Sequence, residues 1–149
     1  MTIFEREKMV YQNILTAFDG SKLSFLAFKK AINLAKKAKA NLDIIAVIDN
    51  QLLKDVSSFD TDALHRITDG VKNQISSLVE KAKEKNIVTN KYIELGNPKI
   101  IISQDRFANP HDLIVMGATG MSKVEKLFVG SVTEYVVQHS SCNCLIVKK

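Results

Sequence analysis

The feature that most constrains the fold is an alternation of two kinds of segment. Short, nearly unbroken apolar runs recur: "NILTAFD" at 13–19, "LDIIAVI" at 42–48, "DLIVM" at 112–116 and "CLIVK" at 144–148. Between them lie segments whose apolar residues return every three or four positions. After "GS" at 20–21, Leu23, Phe25, Leu26, Ala27, Ala31, Ile32, Leu34 and Ala35 follow a helical period while the lysines take the other side. Ser21 is placed to cap that helix, which is expected to run to about Lys39. A second helical pattern from about Asp62 to Lys85 carries Leu64, Ile67, Val71, Ile75, Leu78, Val79 and Ala82 on one face. Asp49 to Thr61 is polar and reads as a connection.

The remaining elements follow the same logic. "TNKYIEL" at 89–95 reads as a strand with more alternation, and "GNP" at 96–98 as a turn with proline opening a helix. That helix is expected over Ile100 to Phe107, and another from Ser131 to about His139. Runs of Ile, Leu and Val without polar alternation belong to strands covered on both faces. The expectation is an α/β fold: a single doubly wound domain over 1–149, with a parallel sheet and helices on both faces. Ligands of such sheets sit beyond the carboxyl ends of the strands. Here those ends carry Asp19, Ile48, Asp49, Leu95, Gly96, Met116 and Gly117.

Composition excludes several classes. A chain of 149 residues with 46% hydrophobic and 25% charged residues is ordinary for a globular domain. The first ten residues, "MTIFEREKMV", carry charges where a signal peptide needs an apolar centre. No run reaches the roughly 18 apolar residues of a membrane span. Cys142 and Cys144 stand one residue apart and form no disulfide framework, which points to reduced thiols and a cytoplasmic protein. The net charge is +5, but the lysine-rich segment 29–39 lacks interleaved aromatics and the chain has only three arginines. That segment reads as a solvated helix face, and nucleic acid is not an expected partner. His65, His111 and His139 are scattered, so a metal site built from protein ligands alone is not expected.

Half of the six glycines fall in "GATGMSKVEKLFVGS", 117–131. Gly117 leaves a strand, Gly120 opens a loop, and "SKVE" at 122–125 fits a capping box before a short helical turn. Gly130 fits the end of that turn, and "SVTE" at 131–134 fits a second capping box. Glycines here can serve tight turns alone, or they can let backbone N–H groups converge on a phosphate beside the helix that begins at Ser131. The spacing is neither G-x-x-x-x-G-K-[ST] nor G-x-G-x-x-G.

The pattern G-x2-G-x9-G-[ST], carried by Gly117, Gly120, Gly130 and Ser131, resembles the universal stress protein family. So do "DLIVMGATG", "LFVGSVTEYVV", the strand–helix–strand stretch 13–49, and "ELGNP". The resemblance implies a Rossmann-like five-stranded sheet of order 3-2-1-4-5 that binds ATP. It implies that Ala17 and Asp19 contact the adenosine moiety and Val47 the adenine through its backbone. Met116, Gly117, Gly120, Gly130, Ser131 and Val132 would hold ribose and phosphates. Mg²⁺ or Mn²⁺ would be held through the phosphates, with at most slow hydrolysis or autophosphorylation. It also implies a homodimer through the C-terminal strand, although "SCNCLIV" lacks the two prolines common there in the family. The implied role is nucleotide-dependent signalling in stress. Two other functions stand beside it. One is a nucleotide-dependent hydrolase or adenylyl-transfer enzyme, faintly echoed by "DGSKLS" at 19–24; the other is a dimeric scaffold that binds no nucleotide.

Overall fold

The computed structural model describes residues 11–55, 60–104, 110–120 and 129–149. Five strands, β1 (Asn13–Ala17), β2 (Asn41–Asp49), β3 (Thr89–Gly96), β4 (Leu113–Gly117) and β5 (Asn143–Val147), form one all-parallel sheet in the order β3-β2-β1-β4-β5. The helices are α1 (Lys22–Ala38), α2 (Thr61–Glu84), α3 (Pro98–Ser103) and α4 (Ser131–His139). The polar connection after β2 includes a 3-10 turn at Leu52–Asp55.

Side-chain alternation along β1 divides the core into two layers. Ile14 points to one face, where Phe28, Ala31 and Ala35 of α1 meet Ile75, Leu78 and Ala82 of α2. Leu15 and Ala17 point to the other face, with Ile102 of α3 and Val136 of α4. Both faces are therefore covered, as unbroken apolar strands require. Thr16 shares the Ile14 face, and its fully buried hydroxyl has no hydrogen-bond partner among the described residues.

Local signals act as their chemistry dictates. Ser21 caps α1 by accepting from the Ser24 amide at 3.1 Å. Pro98 opens α3 behind an Asn97 cap. The described part of α3 ends at Ser103, short of the expected Phe107, because Gln104 turns to an extended conformation; residues 105–109 lie outside the described residues. The expected capping box at 122–125 and its short turn also lie outside them.

One sequence expectation is corrected. "SVTE" does not form a capping box. Gly130 is the N-cap of α4, no side chain caps it, and Ser131 is already the first helical residue. The reason is tertiary: the Gly130 amide donates to the Ala118 carbonyl at 2.6 Å, which ties the helix start to the end of β4 one residue earlier than the motif suggests.

Candidate functional site

The sheet order reverses direction of growth at β1, which has β2 on one side and β4 on the other. The chain leaving β1 and the chain leaving β4 therefore diverge from neighbouring points, and a crevice opens between them.

Asp19 and Gly20 make the first wall. Gly20 has φ +87, a left-handed conformation that glycine adopts without strain, and it turns the chain from β1 into α1. The Asp19 carboxylate accepts from the Ser21 amide through Oδ1 at 2.9 Å. The Ser24 hydroxyl donates to the Ser21 carbonyl at 2.8 Å and accepts from the Asp19 amide at 3.4 Å. The Ser21 bond anchors one carboxylate oxygen, and the Ser24 hydroxyl ties together the backbone of the turn. The Asp19 Oδ2 lies 2.5 Å from the position that a β-carbon on Gly120 would take. A side chain at 120 would have to displace that carboxylate from this position.

The loop after β4 makes the second wall. The Ala118 amide donates to the Val147 carbonyl at 2.9 Å, and the Thr133 hydroxyl donates to the Gly117 carbonyl at 2.8 Å. Gly130 rests on this loop: a β-carbon there would lie 3.4 Å from the Thr119 Cα and 3.8 Å from the Gly120 nitrogen. The two halves of the glycine pattern thus meet in space. The amides of Ser131, Val132 and Thr133 begin a helix with no side-chain cap, so they lack intrahelical acceptors by helix geometry. They carry the partial positive charge of the α4 N-terminus towards the same corner.

Each expected residue has a definite place. Ala17 is buried at the last position of β1, paired with Ile45. The last β1–β2 backbone bond runs from the Phe18 amide to the Ile45 carbonyl. Backbone groups two residues apart on a strand point the same way. The N–H and C=O of Val47 therefore face the notch left where β1 has ended. Met116 is 5% exposed and its side chain lies in the core with Leu15 and Val136, so only its backbone can serve a ligand. Val132 packs partly against that same core, and Ser131 is exposed.

Gly117 has a packing requirement of its own. A β-carbon on it would lie 2.9 Å from the Leu23 Cβ and 3.0 Å from the Leu23 carbonyl carbon. This glycine lets α1 seat against β4. Its need is packing, whatever binds nearby.

Sequence reasoning passed over Gly20 as a turn residue and did not see Thr133 as the brace of the β4 loop. It also left His111 unassigned. His111 is buried, and its Nε2 lies 2.8 Å from Asp43 Oδ2 at the opposite, amino-terminal edge of the sheet. Burial, followed by the charge of Asp43, raises the Tyr92 phenol above its ordinary value. Among the described residues, no group of three His, Cys, Asp or Glu side chains could hold a metal ion. Both cysteines are free thiols.

A doubly wound parallel sheet with a carboxylate, a glycine loop and a helix N-terminus at its switch point defines an α/β protein of the Rossmann-like class. The universal stress protein family model matches residues 10–148. The chain belongs to that family. A Staphylococcus saprophyticus protein named as a universal stress protein is 34% identical over 144 residues, spanning 94% of this chain and 85% of the relative. The solved universal stress protein UspA from Lactobacillus plantarum is similar with a TM-score of 0.77 at 30% identity, covering 93% and 98% of the two chains. The hypothetical protein MJ0577 has a TM-score of 0.83 at 25% identity, covering 94% and 97%. A universal stress protein solved in complex with cAMP shares the fold, with a TM-score of 0.67 at 22% identity over 93% and 97%. Among the described residues, no helix is long and apolar enough to cross a membrane.

Proposed function

We propose that this universal stress protein binds ATP in the crevice between β1 and β4, and that nucleotide occupancy is its signal to other proteins. The observation that carries the reading is the meeting of Asp19, Gly120 and Gly130 at the uncapped start of α4. A carboxylate oriented by the Ser21 amide suits a ribose or adenine donor. The amides of Ser131, Val132 and Thr133, which have no intrahelical acceptor, suit a phosphate. The notch at Val47 suits an adenine edge read by backbone groups. Mg²⁺ or Mn²⁺ would enter with the phosphates, whose charge it offsets. A family member bound to cAMP supports an adenine nucleotide as the ligand class. The reading includes a homodimer through β5.

Isothermal titration of the purified protein with ATP tests the site. Asp19→Ala is expected to weaken ATP about five- to 150-fold, the cost of one lost hydrogen-bonding partner. Inorganic triphosphate should bind the variant as it binds the wild type, because the α4 amides remain. Circular dichroism controls for the loss of the Ser21 contact. Wild-type protein that binds no ATP, or a folded variant with unchanged affinity, overturns the assignment.

A further inference from the structure

On α1, every exposed position except Asn33 is a lysine: Lys22, Lys29, Lys30, Lys36 and Lys37. Lys39, exposed at the C-cap, extends the series. At 100° per residue the five helical lysines fall within an arc of roughly 120°, and at 1.5 Å per residue they run roughly 22 Å along the helix. The helix holds no acidic residue, and none of its lysines has an ion-pair partner among the described residues. Lys81 of α2 joins the face: its ammonium lies 4.7 Å from the centre of the Phe25 ring, and that of Lys29 lies 5.5 Å from it. Like charges held on one face repel each other, so the arrangement gains from an anionic surface laid across it.

We propose that this face of α1 docks an acidic protein segment, one rich in glutamate and aspartate. The chemistry of the face selects among polyanions. No arginine stands on it to grip a phosphate with two parallel hydrogen bonds. Its one aromatic ring, Phe25, is half-buried and flanked by two ammonium groups, so it offers no platform for a nucleobase. Its exposed positions carry no apolar residue to enter a lipid interface. What remains is a rigid row of hydrated point charges, which matches separate carboxylates at helical or extended spacing. The inference goes beyond nucleotide binding and does not rest on it.

The test measures binding of fluorescent poly-L-glutamate at low ionic strength by anisotropy. Two variants with the same loss of charge are compared. One replaces Lys29, Lys30, Lys36 and Lys37 with glutamine. The other replaces Lys54, Lys72, Lys83 and Lys91, which are exposed elsewhere. Glutamine keeps helix propensity, and circular dichroism checks the fold of both. The α1 variant is expected to lose about tenfold or more in affinity while the control stays within about twofold. Equal losses in the two variants overturn the proposal, as does absence of binding by the wild type. Duplex DNA or phosphatidylglycerol vesicles binding more tightly than poly-L-glutamate, with the loss again confined to the α1 variant, would also overturn it.

Discussion

Gly117 and Gly120 stand three positions apart and are needed for unrelated reasons. At 120 a side chain would displace the Asp19 carboxylate. At 117 it would strike the backbone of Leu23 and push α1 away from β4. A contact with backbone is not relieved by a rotamer change, so the cost falls on the fold. Gly117→Ala is expected to lower stability by about 1–3 kcal/mol in urea unfolding. Gly130→Ala, whose nearest contacts would lie at 3.4 Å, should cost clearly less. Equal stability of Gly117→Ala and wild type would show that α1 can shift at no cost. A lost ligand in a Gly117 variant therefore carries weight only beside an unfolding curve.

At the scale of elements, β2 and β3 carry a polar group of side chains towards the amino-terminal edge. Asp43 accepts from the Asn90 side-chain Nδ2 at 3.0 Å and lies 2.8 Å from His111. Tyr92, two residues after Asn90, feels burial first and the Asp43 charge second, and both hold its phenol above the ordinary value of 10.0. The phenol is an acid whose folded form keeps its proton more firmly than the unfolded form does. Its contribution is fully present below the unfolded value and is lost as pH rises through the folded one. The difference in urea midpoint between wild type and Tyr92→Phe should therefore be constant below pH 10 and move in favour of Tyr92→Phe above it. A difference that stays constant through the alkaline range would remove Tyr92 from the account.

At the scale of the molecule, the sheet has β3 and β5 at its ends. The Val147 carbonyl accepts from Ala118, so the backbone groups of Val147 face β4 and those of Ile146 face away from it. An outward row of backbone donors and acceptors on an apolar strand invites pairing, and a two-fold axis lets a second copy supply it. Ile146→Pro removes one outward donor while leaving the β4-facing groups in place. Light scattering after size-exclusion chromatography is expected to find the wild type dimeric and the variant shifted towards monomer. A wild type that is monomeric at high concentration ends the idea, and a folded variant that remains dimeric moves the interface to another surface.

The sequence by itself determined the elements whose causes lie within a few residues. The strand runs at 13–19, 42–48 and 112–116, the Ser21 cap and the Pro98 helix start were legible because burial on both faces and capping are written in adjacent positions. The family resemblance also named Asp19, Gly120 and Gly130 among its site residues, and these three lie close together in the fold. Only the tertiary structure decided what each of them touches. "SVTE" has the spacing of a capping box, yet Gly130 caps α4 because the β4 loop takes its amide. Gly117 carries the same letter as Gly120, yet one answers to Leu23 and the other to Asp19. His111 meets Asp43 across 68 residues, a separation over which no periodicity or local motif leaves a trace. Spacing along the chain reports hydrogen bonds that close short rings; contacts between elements depend on strand order and register, which arise only when the sheet assembles.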